Sequence, residues 1–247
     1  MCPAQPYEHD AIRLGSFLLT IVEPHKGHEV SYNRWYERDH FYSGCMIGPW
    51  NLTGGRFVAT RDCKARRQPV PSSPGSYMAL YWVQDGKYKE WVEWAGAQVM
   101  WLHKNGRMFE ERDHIHTQMY KFRGAVAADA DPVPPELALD HRYPGVVVIF
   151  GEVPEGGDPV DSVLRDVPSV GQCVVGSPRP LQQGPSDVPR AEGSDNRFAH
   201  LYFVDRDPLD AWDSDFEKRV DELPGVTFAS PFLATVPGTD RYTDQLW

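Results

Sequence analysis

The sequence predicts an α+β fold in which one chain carries two βαββαβ repeats. Three observations predict it. Short apolar, strand-like runs alternate with segments of helical period, in the same order in both halves. A stretch rich in Ala, Asp and Pro, residues 125–144, separates the halves as a linker. The 247 residues suit two units of roughly 100–125 residues, each able to bury a core.

The first repeat is assigned to residues 12–124. Residues 16–22 (SFLLTIV) are an apolar run and predict the first strand. A helix is predicted over 29–42, with Tyr32, Tyr36 and His40 on one stripe at i, i+4 and i+8 and Gly44 placed to stop it. Residues 55–60 (GRFVAT) read as a second strand. Polar residues 61–76 read as a loop, and the basic cluster Arg61 to Arg67 within it as solvated. Residues 77–83 form a third strand. Residues 87–104 form a second helix, whose Trp91, Trp94 and Trp101 repeat as an apolar stripe before Asn105 and Gly106 end it. Alternation over 113–122 gives a fourth strand, with His114, His116, Gln118 and Tyr120 on one face.

The second repeat is assigned to residues 145–247. It has strands over 146–150, 171–175, 198–204 and 226–236, a short helix over 159–166, and a helix over 208–223 with Pro208 in its first turn. A Pro/Gly/Ser-rich loop runs to about residue 195. Each half thus follows the split βαβ, ferredoxin-like order. An open sheet covered by helices on one side leaves its other face bare. Packing the two repeats sheet to sheet, as an intramolecular α/β barrel, buries both faces and protects the strand edges.

Composition narrows the function classes. An apolar fraction of 41% fits a globular chain. The formal net charge of −10 argues against a nucleic-acid backbone as partner. The four cysteines have no metal-knuckle or redox spacing, which fits a reducing compartment. The first ten residues lack a basic and an apolar region, so no signal peptide is expected, and no apolar run is long enough to span a bilayer. A cytoplasmic location is therefore expected, with no membrane partner. Gly-rich phosphate loops and the Gly-x-Ser-x-Gly pattern are absent.

The segment Asn33-x-Trp35-Tyr36-x-x-x-His40 on the first predicted helix, residues 55–60 and the tail 240–246 (DRYTDQL) carry a resemblance. Together they resemble the dimeric α/β-barrel superfamily, and within it the EthD-like branch. Most members of that superfamily build the barrel from two identical chains; this chain reads as a tandem fusion of both halves, with pairing of the tandem into a homodimer left open. The superfamily includes cofactor-free monooxygenases, polyketide cyclases, lactone isomerases, haem-binding branches and stress proteins. The resemblance implies a ligand pocket between the helices and the sheet face they cover.

His40 is the candidate base, since an imidazole with an ordinary pKa near 6.5 suits proton abstraction at neutral pH. A histidine that merely stabilises a helix end is the alternative. Tyr36 is the candidate oxyanion donor or orienter of His40, and Asn33 a further polar contact. Trp35, His114 and His116 are candidate substrate contacts, and Tyr81 or, by preference, Trp82 an aromatic wall. No resident metal is expected: His25 and His28 lie in a loop, and His114 with His116 lacks a carboxylate at a metal-site spacing. Haem, with His40 or His116 as axial ligand, finds no selecting feature. The second half lacks the Trp-Tyr-x-x-x-His pattern and is expected to be structural, with a share of the pocket rim at most.

The expected activity is cofactor-independent acid–base chemistry of the cyclase, dehydratase, isomerase or lyase type. The expected substrate is an apolar or aromatic carbonyl or phenolic, polyketide-like small molecule. The alternatives are a cofactor-free monooxygenase in the same pocket and a non-catalytic ligand-binding or stress protein.

Overall fold

All eight predicted strands form, and they join edge to edge in a single ring. The computed structural model describes residues 12–181, 188 and 190–247. The decapeptide read for a secretion signal, Cys2, and part of the loop preceding residue 195 lie outside these residues. The first half runs β1 (Leu14–Pro24), α1 (Glu29–Trp35), β2 (Asn51–Val58), α2 (Arg61–Ala65), β3 (Tyr77–Gln84), α3 (Tyr88–Lys104) and β4 (Arg112–Val126). The second runs β5 (Gly145–Glu152), β6 (Val170–Arg179), β7 (Arg197–Val204), α4 (Pro208–Ala211), α5 (Glu217–Glu222) and β8 (Val226–Ala234).

The antiparallel sheet closes in the order β1-β3-β2-β8-β5-β7-β6-β4. Each half contributes its strands in the same spatial sequence: second, third, first, fourth. The two seams differ. β4 and β6 pair from Met119 opposite Arg179 to Val126 opposite Cys173. β2 and β8 pair only at Phe57 with Ala234 and Val58 with Leu233. The long seam thus covers the β4 and β6 edges, while the short seam joins only the ends of β2 and β8.

The inside of the ring is aromatic. Phe17 lies 5.3 Å from Trp82 and stacks on Tyr120 at 5.1 Å, and Trp82 meets Phe203 from the other half. His116 stacks on Phe150 at 4.6 Å, and Phe150 on Phe228. A Cβ on Gly176 would lie 2.5 Å from the Phe17 ring, so only glycine leaves room for it.

Several expectations are corrected. Residues 159–166 form turns instead of a helix; the stretch is too short to offset helix nucleation. Gly44 does not stop the first helix, which winds on from Tyr36 to Met46 in π geometry, as the Tyr42 carbonyl accepting from the Ile47 N–H shows. The basic cluster is a helix, not a solvated loop. Lys64 pairs with Glu23 at 3.1 Å, both buried, and buried Arg67 donates to Ser230 Oγ across the short seam. Of the tryptophan stripe on α3 only Trp91 is buried, while Trp101 is half exposed. Among the described residues no helix is long and apolar enough to cross a membrane.

Candidate functional site

The first half holds an apolar cavity of about 100 Å³ between its helices and its sheet. Leu18, Thr20 and Val22 of β1 form its floor, Trp91, Val92, Ala95 and Val99 of α3 one wall, and Trp35, Tyr36, His40 and Cys45 the opposite wall. Arg112, His114 and Thr117 of β4 close one side. Leu181 and Val188 from the second half also line it. A wider cleft of about 890 Å³ runs along the β2–β8 seam, but neither Tyr36 nor His40 lines it.

The π winding sets the His40 wall. Its i→i+5 bonding brings residues five apart into register. Trp35 and His40 accordingly stack with ring centroids 4.5 Å apart and planes 19° apart. Such a stack contributes about 0.5–1.5 kcal/mol beyond buried area. Tyr36 meets the His40 ring edge-on at 5.2 Å. Gly44, one turn further, has no side chain because a Cβ there would sit 2.9 Å from the imidazole. The glycine that looked like a stop signal is the seat of the histidine ring.

Burial, with the Arg112 guanidinium nearby, pulls the His40 pKa down to about 3. The ring is therefore neutral at any physiological pH, and not poised near 6.5. Its Nδ1 is buried and has no hydrogen-bond partner among the described residues. A buried polar atom left unpaired costs about 1–3 kcal/mol, so stability alone does not account for it.

The polar atoms on the wall form two short chains. The hydroxyls of Tyr36 and Tyr81 lie 2.9 Å apart, and burial pushes both pKa values up, so both are protonated. Thr20 Oγ1, Thr117 Oγ1 and His114 Nδ1 follow at 3.0 and 3.1 Å. Arg112 Nη2 lies 3.5 Å from His114 Nε2, and its guanidinium lies over the Trp35 ring at 5.4 Å. The Cys45 thiol is pushed up to about 12 by burial and stays unreactive.

Of the predicted site residues, His40, Tyr36, Trp35 and His114 converge on this cavity. Asn33, Trp82 and His116 do not. Asn33 donates from Nδ2 to the Thr239 carbonyl and accepts at Oδ1 from Arg56, tying α1 to the C-terminal segment. Trp82 points into the ring, where Nε1 donates to the Pro135 carbonyl; its neighbour Tyr81 faces the cavity. His116 also points into the ring, 3.0 Å from the Tyr120 hydroxyl. A bulge at Ile115 separates the two histidines: His114 pairs with Val22, His116 with Ile21. The expected shared face of His114 and His116 is lost for that reason. Arg112, Thr20 and Thr117 were missed; only their places on the strands beside the motif pointed to them.

Metal and haem can be tested against these residues. Among the described residues no group of three or more His, Cys, Asp or Glu side chains could hold a metal ion. A porphyrin does not fit a cavity of about 100 Å³, which is near the size of a single benzene ring's pocket.

Two solved structures superpose over nearly their whole length. An anthrone oxidase-like protein does so with a TM-score of 0.54 at 10% identity, covering 93% of this chain and 98% of that one. A candidate chlorite dismutase gives 0.51 at 10% identity, covering 95% and 100%. The likeness extends over the whole ring, all eight strands of which come from this one chain. A candidate monooxygenase from Fusobacterium nucleatum subsp. nucleatum matches with a TM-score of 0.47 at 9% identity, covering 91% and 94%. No family model and no curated protein matches the chain. At such identities the likeness is one of fold.

Proposed function

We propose that this chain is an acid–base enzyme that takes a proton from a small phenol or enolisable carbonyl compound held in the α-side cavity. The observation that carries the reading is the convergence of neutral His40, the Tyr36–Tyr81 hydroxyl pair and Arg112 on one apolar space. His40 accepts the proton, and the new imidazolium is stabilised by the substrate anion it has made. Opposite charges created together in a low-dielectric site compensate each other's burial. Tyr36 donates to the oxyanion, and Arg112 adds a fixed positive charge at the rim. Trp35, Trp91 and Tyr81 hold a flat ring. The volume favours a single-ring compound over a fused polyketide. This chemistry calls on no bound cofactor.

The same reading treats residues 12–124 and 145–247 as ferredoxin-like repeats fused in tandem, of EthD-like type. The repeated strand sequence in the ring supports it. In the second half the equivalent layer is filled, so that half serves as partner and rim.

A second reading is favoured by the fold likeness to an anthrone oxidase-like protein and by the apolar lining, which admits dioxygen. There the substrate anion gives electrons to dioxygen; one oxygen atom ends on carbon and the other leaves as water.

Phenylacetone, a one-ring enolisable probe, tests the first reading. In deuterated buffer the protein accelerates exchange at the carbon next to the carbonyl, followed by NMR, with no oxygen uptake at an electrode. Oxygen uptake coupled to product formation would instead support the second reading. Tight binding of 4-nitrophenol with no exchange and no uptake would reduce the site to a ligand-binding one.

A further inference from the structure

Arg56 is not part of the cavity lining; with Glu37 it borders the wider cleft along the β2–β8 seam. It extends from β2 with 7% of its side chain exposed, and its guanidinium sits 4.7 Å from the Tyr36 ring centroid and 5.4 Å from that of Tyr77. Its charge is loosely neutralised. Nη1 donates to Asn33 Oδ1 at 3.1 Å, and the Glu37 carboxylate stands 3.8 Å away. Nη2 is buried with no hydrogen-bond partner among the described residues. A guanidinium that is buried, unsaturated and not closely paired is costly.

The groups facing Tyr36 show what it is used for. Tyr32 and His40 come from the same helical segment, Cys45 from its end, Tyr81 from β3, and Arg56 and Arg112 from β2 and β4. Only the two arginines are positive. We propose that Arg56 is a positioning residue: held against the face of Tyr36, it polarises the Tyr36–Tyr81 hydroxyl pair toward donating to an anion in the cavity. Burial and the nearby Cys45 thiol act against ionisation of Tyr36, while the Tyr81 hydrogen bond, Arg56 and Arg112 favour it. Glu37 in turn sets how much of the Arg56 charge Tyr36 feels. Asn33, expected to touch substrate, acts here one step removed, by fixing the guanidinium.

The inference rests on the anion-holding cavity, but its test uses no ligand. The two can therefore fail separately. The full chain is made with 3,5-difluorotyrosine at position 36, whose phenol is more acidic than tyrosine's, and its ionisation is followed by fluorine NMR. Arg56→Met keeps the packing and removes the charge; the titration midpoint is expected to rise by about 1 pH unit or more. Arg56→Lys is expected to restore part of the shift. Glu37→Gln leaves Arg56 in place, removes its counter-charge, and is expected to lower the midpoint. If Arg56→Met does not fold, Glu37→Gln decides alone. A midpoint unmoved by Glu37→Gln, or by Arg56→Met in a folded chain, overturns the proposal.

Discussion

Half-buried His40 and fully buried His200 are neutral histidines beside aromatic rings, one in each half, and they live in opposite circumstances. His200 Nε2 donates to the Pro159 carbonyl at 2.9 Å, Nδ1 lies 3.3 Å from the Tyr202 hydroxyl, and the ring stacks on Phe198. His40 stacks as well, but its Nδ1 is unpaired and its ring borders a cavity. The layers around them follow suit. Trp212 and Phe216, fully buried, fill the space outside the second half of the sheet together with Val163, Val167 and Val220. In the first half that space is left partly open. Two halves with one strand order thus differ: one layer is filled, the other holds unpaired polarity around a hollow.

The largest test of this contrast is Trp212→Ala, which opens a hole in the filled layer. A loss of about 3–5 kcal/mol is expected in chemical denaturation. Trp91→Ala, which only widens an existing hollow, is expected to cost less. Equal costs would mean that the two layers are packed alike.

Acid comes next. Burial lowers the pKa of His40 to about 3 and those of His116 and His200 to about 4. Below the ordinary value near 6.5 the unfolded chain takes up protons that the folded chain refuses. Stability is therefore complete above 6.5 and falls as pH drops toward 4, by about 1.4 kcal/mol per pH unit for each histidine. Denaturation midpoints measured between pH 7 and 4.5 check this, and a flat profile would contradict the neutral assignment.

His200→Ala should cost about 1–3 kcal/mol, since it empties the place of a buried ring and leaves the Pro159 carbonyl with Ser162 Oγ as its donor. Gly44→Ala should change stability by no more than about 1 kcal/mol, because Gly44 lies within a helical turn. Its Cβ should nonetheless displace the His40 ring and weaken 4-nitrophenol binding, measured by absorbance of the bound phenolate. Undiminished binding would mean that the seat of the ring does not matter.

The element order was legible because periods of 2 and 3.6 survive in apolar runs such as 16–22 and in helices such as α3. The stripe of Tyr36 and His40 was legible for the same reason. What the sequence hid were departures from those periods. The π winding from Tyr36 puts His40 over Trp35, and no residue type announces it. The bulge at Ile115 swaps the face of His114 relative to His116. β3 is buried on both sides along its whole length, so alternation could not choose between Tyr81 and Trp82. Nothing in the sequence marks Arg112, which β4 brings to the cavity.

The most direct measurement compares the two histidines in one assay. Solvent-deuterium exchange into phenylacetone is followed for His40→Ala and His200→Ala, each corrected for its folded fraction. A base that takes the proton is worth about 10²–10⁴-fold. The expected result is a loss of at least about 100-fold in His40→Ala with the fold intact, and a rate per folded molecule close to the parent in His200→Ala. Equal rates in the two variants would contradict the placement of the chemistry in the first half.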